Sequence, residues 1–180
     1  MDIESIKSAY EKHRNLKIAA DELGIKWQRL YVMLRSAGIP VTGDKARYGS
    51  SKDRMAARAE LEFSRLVPSA ISQNAIKFQA EVDFLVGSEK VDVKASTLHR
   101  GSKNFAALRW AFSVKKQEFC ADFIVCFAIT EGGYRILMIP GEVVRKYMTI
   151  SVSEKGKSKW LQYEVTQEEL TQFFTELSNQ

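Results

Sequence analysis

The sequence predicts an α/β fold, with a small all-helical unit at the front and a mixed β-sheet domain flanked by helices behind it. Three observations predict this. Apolar residues recur at helical spacing through residues 2–38, a polar, turn-rich stretch follows at 41–52, and short alternating strands then mingle with capped helices. The chain therefore divides into residues 1–40, a linker at 41–52 and a second domain at 53–180.

In the front segment Ile6, Ala9 and Tyr10 make the apolar stripe of a first helix, which breaks at 13–15. Asn15 suits the N-cap of a helix over 16–23, because its side-chain oxygen can accept an orphan amide of the first turn. Gly24 supplies a tight turn, and a third helix over 25–37 ends at Gly38 and Pro40, with Leu30, Met33 and Leu34 facing inward. Ala19 and Ala20 permit close helix packing, and the whole stretch resembles a helix-turn-helix of the small bacterial and phage type. On such a unit Lys26, Trp27, Gln28 and Arg29, with Tyr31 and Arg35 beyond them, would address base edges and phosphates. The segment's charge through Lys45 is only +2, so it would act as a tethered, weak reader. A three-helix docking module for protein, with Trp27 packed inside, is the alternative.

Behind the linker, a helix over 52–67 stops at Pro68. Strands over 81–86 and 91–96 follow, joined by the turn Gly87-Ser88-Glu89-Lys90. Residues 105–112 read as a further strand and 115–119 as a helical turn. A hairpin over 122–129 and 134–139 closes around Glu131-Gly132-Gly133, and a turn of helix follows Pro140. A last strand pair is expected at 149–152 and 160–165. The closing helix is announced by a capping box, Thr166 with Glu169.

Charge is unevenly placed. The net +5 becomes +9 over residues 1–159, because no Lys or Arg occurs from Trp160 onward while Glu164, Glu168, Glu169 and Glu176 do. Arg100, Lys103, Arg109, Lys115 and Lys116 follow one another without an intervening acid, a run suited to phosphates or simply to a solvated face. No stretch has the ~18–20 apolar residues of a membrane span, and the acidic, polar start does not read as a signal peptide. Cys120 and Cys126 lack zinc or disulfide spacing, so a reducing cytoplasm is expected.

The chemistry concentrates in EVDFLVGSEKVDVKAS, residues 81–96. If Val86 pairs with Val91, Asp83 lies opposite Lys94 and Leu85 opposite Asp92. Alternation then puts Asp83, Asp92 and Lys94 on one face, and Val82, Phe84, Val86, Val91, Val93 and Ala95 on the other. Carboxylates are disfavoured in strands, and two beside a lysine could hold a hard cation against a phosphate. A wet hairpin face with a cross-strand ion pair is the plainer alternative.

A helix bearing Glu, an Asp on a strand and Asp-x-Lys on the adjacent strand together resemble the PD-(D/E)XK, restriction-endonuclease-like nuclease superfamily. The stretches RMAARAELEF, VDF, VDVKAS, RWAFSVKKQEFCADFIVCFAI and RILMIPGEVV carry the likeness, to its resolvase and homing-endonuclease branches. The resemblance implies Asp83 and Asp92 as metal-binding acids, the Val93 carbonyl as a main-chain ligand, Lys94 as the motif lysine and Glu60 as the helix acid, with Glu62 as its alternative. It further implies Mg²⁺, with Mn²⁺ able to substitute, as cofactor and double-stranded DNA, linear or branched, as substrate. A homodimer and a phage or mobile-element setting follow from the same analogy. The sequence departs from the pattern at Val82, where a proline is usual, and at Asp92, where glutamate is. A DNA-binding regulator on a nuclease scaffold is the rival function. Of the remaining candidates, His99 could touch phosphate, and Phe105, Trp110 and Phe112 could stack on bases, although alternation favours core packing.

Overall fold

The computed structural model describes residues 2–76, 80–100, 107–114, 120–144 and 147–179. They fall into two compact units, one of Met1–Arg54 with Asn74–Ala80, the other of Met55–Gln73 with Glu81–Gln180.

The first unit contains α1 (Ile3–His13), α2 (Leu16–Glu22), α3 (Trp27–Ser36) and a short α4 (Lys45–Tyr48). Asn15 caps α2 as its chemistry requires, its side-chain oxygen accepting from the Lys17 and Ile18 amides. Gly24 and Gly38 take the left-handed backbone, at φ +65° and +71°, that turns the chain after α2 and α3. Ile6, Ala9, Tyr10, Ala19, Ala20, Leu30 and Leu34 fill the interior. The stretch expected as a linker begins attached to this unit. Val41 packs on its core, and the Asp44 amide donates to the Arg14 carbonyl.

The second unit is built on α5 (Ser51–Leu66), whose last three turns belong to it, followed by β1 (Ile71–Ser72), β2 (Phe84–Val86), β3 (Glu89–Thr97), β4 (His99–Arg100) and β5 (Leu108–Ser113). The hairpin of β6 (Phe123–Thr130) and β7 (Gly133–Pro140) leads to α6 (Gly141–Val144) and β8 (Thr149–Ser153). A 3-10 turn at Lys159–Tyr163, β9 (Glu164–Val165) and α7 (Gln167–Ser178) complete it, with the Thr166–Glu169 capping box in place. The described strands form a sheet in the order β1-β2-β3-β6-β7-β9 and a smaller one in the order β4-β5-β8. Within the larger sheet β3 and β6 run parallel and the other neighbours antiparallel. This is the expected architecture, a mixed sheet with flanking helices and helices ahead of it.

Strand alternation gives the large sheet two unlike faces. Phe84, Val86, Val91, Val93, Val125 and Phe127 pack against Phe63 of α5 and Phe174 of α7. Ile124, Cys126 and Ala128 point the other way, into a core closed by Trp110 and Phe112 of β5 and Ile150 and Val152 of β8.

Three expectations need correction. The first hairpin turns on two residues, Gly87 and Ser88, so that Val86 pairs with Glu89 and Phe84 with Val91. Gly87 at φ +60° fits the first position of a II′-type turn, whose twist matches that of the strands. The pairing is thus slipped by two residues from Val86–Val91, and an even slip leaves the paired residues 84–86 and 89–91 on their expected faces. Strand β2 is also shorter than expected, and Val82 joins the core of the small sheet while Phe84 joins that of the helices. Finally, 149–152 and 160–165 do not pair together: β8 pairs with β5, 160–163 lie in the 3-10 turn, and β9 pairs with β7. Strand β5 accounts for the later part of the strand expected at 105–112, while the helical turn expected at 115–119 lies outside the described residues.

Candidate active site

Strand β3 carries Asp92, Lys94 and Ser96 on the face covered by the small sheet, beside Ile124, Cys126 and Ala128 of β6 in the parallel register. Asp92 is 4 % exposed. A carboxylate so placed is costly to desolvate unless a cation meets it, and the Lys94 ammonium lies 2.6 Å from its Oδ2. The lysine side chain keeps 28 % of its surface exposed, so the pair joins a dry acid to a base that reaches solvent. Burial raises the Cys126 thiol pKa, and the Asp92 charge raises it further against the opposing pull of Lys94. That thiol is therefore a neutral wall to the site.

Asp83 arrives from the bend before β2. Its Oδ2 accepts the Val93 amide at 2.8 Å, and its own carbonyl accepts the Gln73 amide. The carboxylate stands where a β2 carbonyl would otherwise continue the ladder, beside the residue that separates Asp92 from Lys94. Lys94 thus meets Asp92, and Asp83 meets the main chain of β3.

On α5, Glu62 accepts from Tyr134 Oη and from the Arg65 guanidinium, and these contacts, Arg65 first, hold its pKa below the usual carboxylate range. It ties helix to sheet. Glu60 is half-buried on the same helix, between Ala59 and Phe63 in sequence.

Ser96 was not anticipated. Its hydroxyl donates to the Thr97 carbonyl and accepts the Ala111 amide at 3.0 Å, linking β3 to β5. The Trp110 indole adds a second tie by donating to the Ile129 carbonyl. The period-two continuation Asp92, Lys94, Ser96 was the signal that could have found it.

Of the basic run, Arg100 is exposed on β4, and His99 is exposed opposite Arg109 of β5, its Nδ1 3.0 Å from the Thr97 carbonyl. Trp110 and Phe112 are buried core residues. Lys103, Phe105, Lys115 and Lys116 lie outside the described residues. In the helical unit Lys26, Trp27, Gln28, Arg29, Tyr31 and Arg35 are all exposed at the head and along the outer side of α3.

Among the described residues no three His, Cys, Asp or Glu side chains gather as a ready-made metal cluster. The donors near β3 are oxygens, from Asp83, Asp92 and the main chain, and the nearby thiol is neutral. This chemistry fits a hard ion such as Mg²⁺, which takes one or two carboxylates and fills its remaining positions with water and phosphate. No helix among the described residues is long and apolar enough to cross a membrane.

No family model matches the chain, and no curated protein matches it. Among solved structures it is similar to a bacterial homing endonuclease, I-Ssp6803I, at 17% identity and a TM-score of 0.48, over 72% of this chain and 97% of that one.

Proposed function

We propose that this chain is a metal-dependent DNA endonuclease. The observation that carries the reading is the buried Asp92 carboxylate held against Lys94, with Asp83 fastened to the intervening Val93. A strand that only had to fold would be served as well by apolar residues here, since replacing a buried ion pair with hydrophobic ones is often neutral or stabilising.

Asp83 and Asp92 would hold Mg²⁺, with the Val93 carbonyl as main-chain ligand and Glu60 as the supporting acid; Mn²⁺ would substitute. The ion would supply Lewis-acid polarisation of a phosphoryl oxygen and a more acidic water. Lys94 would orient the attacking water or offset the charge that grows on the non-bridging oxygens. Arg100 and Arg109 offer phosphate contacts from the small sheet, and Lys103, Lys115 and Lys116 extend the same basic run in sequence. Lys26, Trp27, Gln28, Arg29 and Arg35 form the reading surface of a helix-turn-helix. Cutting both strands of a duplex needs two such centres, which points to a homodimer.

Plasmid nicking with Mg²⁺, together with a panel of linear and branched DNA, tests the reading. Asp92→Asn and Lys94→Ala should each lower the rate by about 100- to 1,000-fold while leaving DNA binding in place. Cutting by either variant at the wild-type rate overturns the assignment. A wild type that shifts DNA but cuts none of the panel makes the chain a DNA-binding regulator instead.

A further inference from the structure

A second site is built where the 3-10 turn meets the segment after α6. Glu142, Tyr147, Lys159, Trp160, Gln162 and Tyr163 line a pocket of about 330 Å³. The Tyr147 and Trp160 rings meet edge to face with centroids 5.0 Å apart, and Tyr163 lies tilted against Trp160 at 6.4 Å. Trp160 is buried in the core of the small sheet, which fixes the corner, while Tyr147 and Tyr163 stay half exposed. The Lys159 ammonium lies 3.7 Å from the Tyr147 ring centre and 4.8 Å from that of Trp160, and it also donates to Tyr147 Oη.

The occupant follows from what these groups already have and what they still lack. Lys159 supplies the cation that the Tyr147 and Trp160 faces would otherwise attract, so a cationic guest would meet like charge. An anion complements the ammonium, the Glu142 carboxylate of the same lining suits the N–H donors of a base edge, and a flat ring complements the half-exposed Tyr163. A nucleotide joins a flat ring to an anion. We propose that the pocket binds an unpaired nucleotide of single-stranded nucleic acid, its base stacked on Tyr163, its phosphate at Lys159 and its base edge within reach of Gln162. Aromatic platforms beside a basic group are the general means of holding single strands without reading their sequence. The site shares its core with the face that carries Asp92 and Lys94, but it does not depend on their cleaving anything.

The test is fluorescence anisotropy of a labelled oligo-thymidine in EDTA, with wild type beside Lys159→Gln, Tyr163→Leu and Tyr163→Phe. Tyr163→Leu should weaken binding about tenfold, and Tyr163→Phe, which keeps the ring, should not. Lys159→Gln should reduce the slope of log affinity against log salt by roughly 0.7, the signature of one lost phosphate contact on a single strand. An abasic strand of the same length should bind wild type about tenfold more weakly than the oligo-thymidine. Equal binding of the abasic strand, or an unchanged Tyr163→Leu, overturns the proposal. Binding is read in EDTA, without any cleavage, so failure here and failure of the nuclease reading are distinguishable.

Discussion

The two faces of the large sheet are made by the same strands and obey different rules. Toward α5 and α7 the fully buried side chains are apolar, and Phe63 meets Phe84 at a tilt and Phe174 edge to face, with centroids 5.0 and 5.5 Å apart. Toward the small sheet the apolar lining is interrupted by Asp92, Lys94 and Ser96. One face stabilises; the other gives up stability to keep the Asp92 carboxylate dry. Adjacent residues of one strand can thus answer to separate demands, since alternation sends them to opposite sides.

The largest stability effect should come from the helix-covered face. Phe63→Ala removes a fully buried ring between two others and should cost about 3–5 kcal/mol, read by urea unfolding. A loss below ~1 kcal/mol would mean that this face is not the principal support of the sheet.

Next come the two halves of the buried pair, which should behave unequally. Lys94→Met leaves a dry carboxylate unmatched and should destabilise by up to about 3 kcal/mol, fewer than for a wholly buried pair because the lysine reaches solvent. Asp92→Asn removes the desolvated charge and should change stability by less than ~1 kcal/mol, or raise it. Equal, large losses from both would make the pair a structural brace and would erase the contrast between the faces.

The smallest effect is expected at the sheet edge, where Arg135 and Glu164 make a bidentate pair at 2.6 Å with about a third of each side chain exposed. The guanidinium holds the Glu164 carboxyl below its usual range. A depressed acid stabilises the folded chain above its unfolded pKa, and this is lost as pH falls through the lower folded value. Glu164→Gln should therefore cost under about 1 kcal/mol at neutral pH and should narrow toward wild type in acid. A difference that widened on acidification would contradict the sign.

The same contrast explains what could be read from the chain beforehand. Helices α1 to α3 and α7 were legible because Asn15, Gly24, Gly38 and the Thr166–Glu169 box act within a few residues. The β6–β7 hairpin was equally local. Strand partnership was not: nothing near residues 149–153 says that β5, rather than the next strand in sequence, lies alongside. The Gly87-Ser88 dipeptide is compatible with a two-residue turn and with the longer Gly87–Lys90 one, and only the cross-strand register decides between them. The consequence is small, because faces follow parity and Asp92 and Lys94 stay together. Glu62's bond to Tyr134, 72 residues away in sequence, had no local trace.

The parallel pairing of β3 with β6 has an evolutionary corollary. A chain leaving one strand must travel back before it can enter its parallel neighbour, and here the detour carries His99, Arg100 and Arg109 and lays Trp110 over the reactive side. Whatever gets near Lys94 is therefore governed by a short excursion encoded directly downstream of it. Lengthening or recolouring that excursion would retune access to Lys94 while the helix-backed half of the sheet went on folding undisturbed.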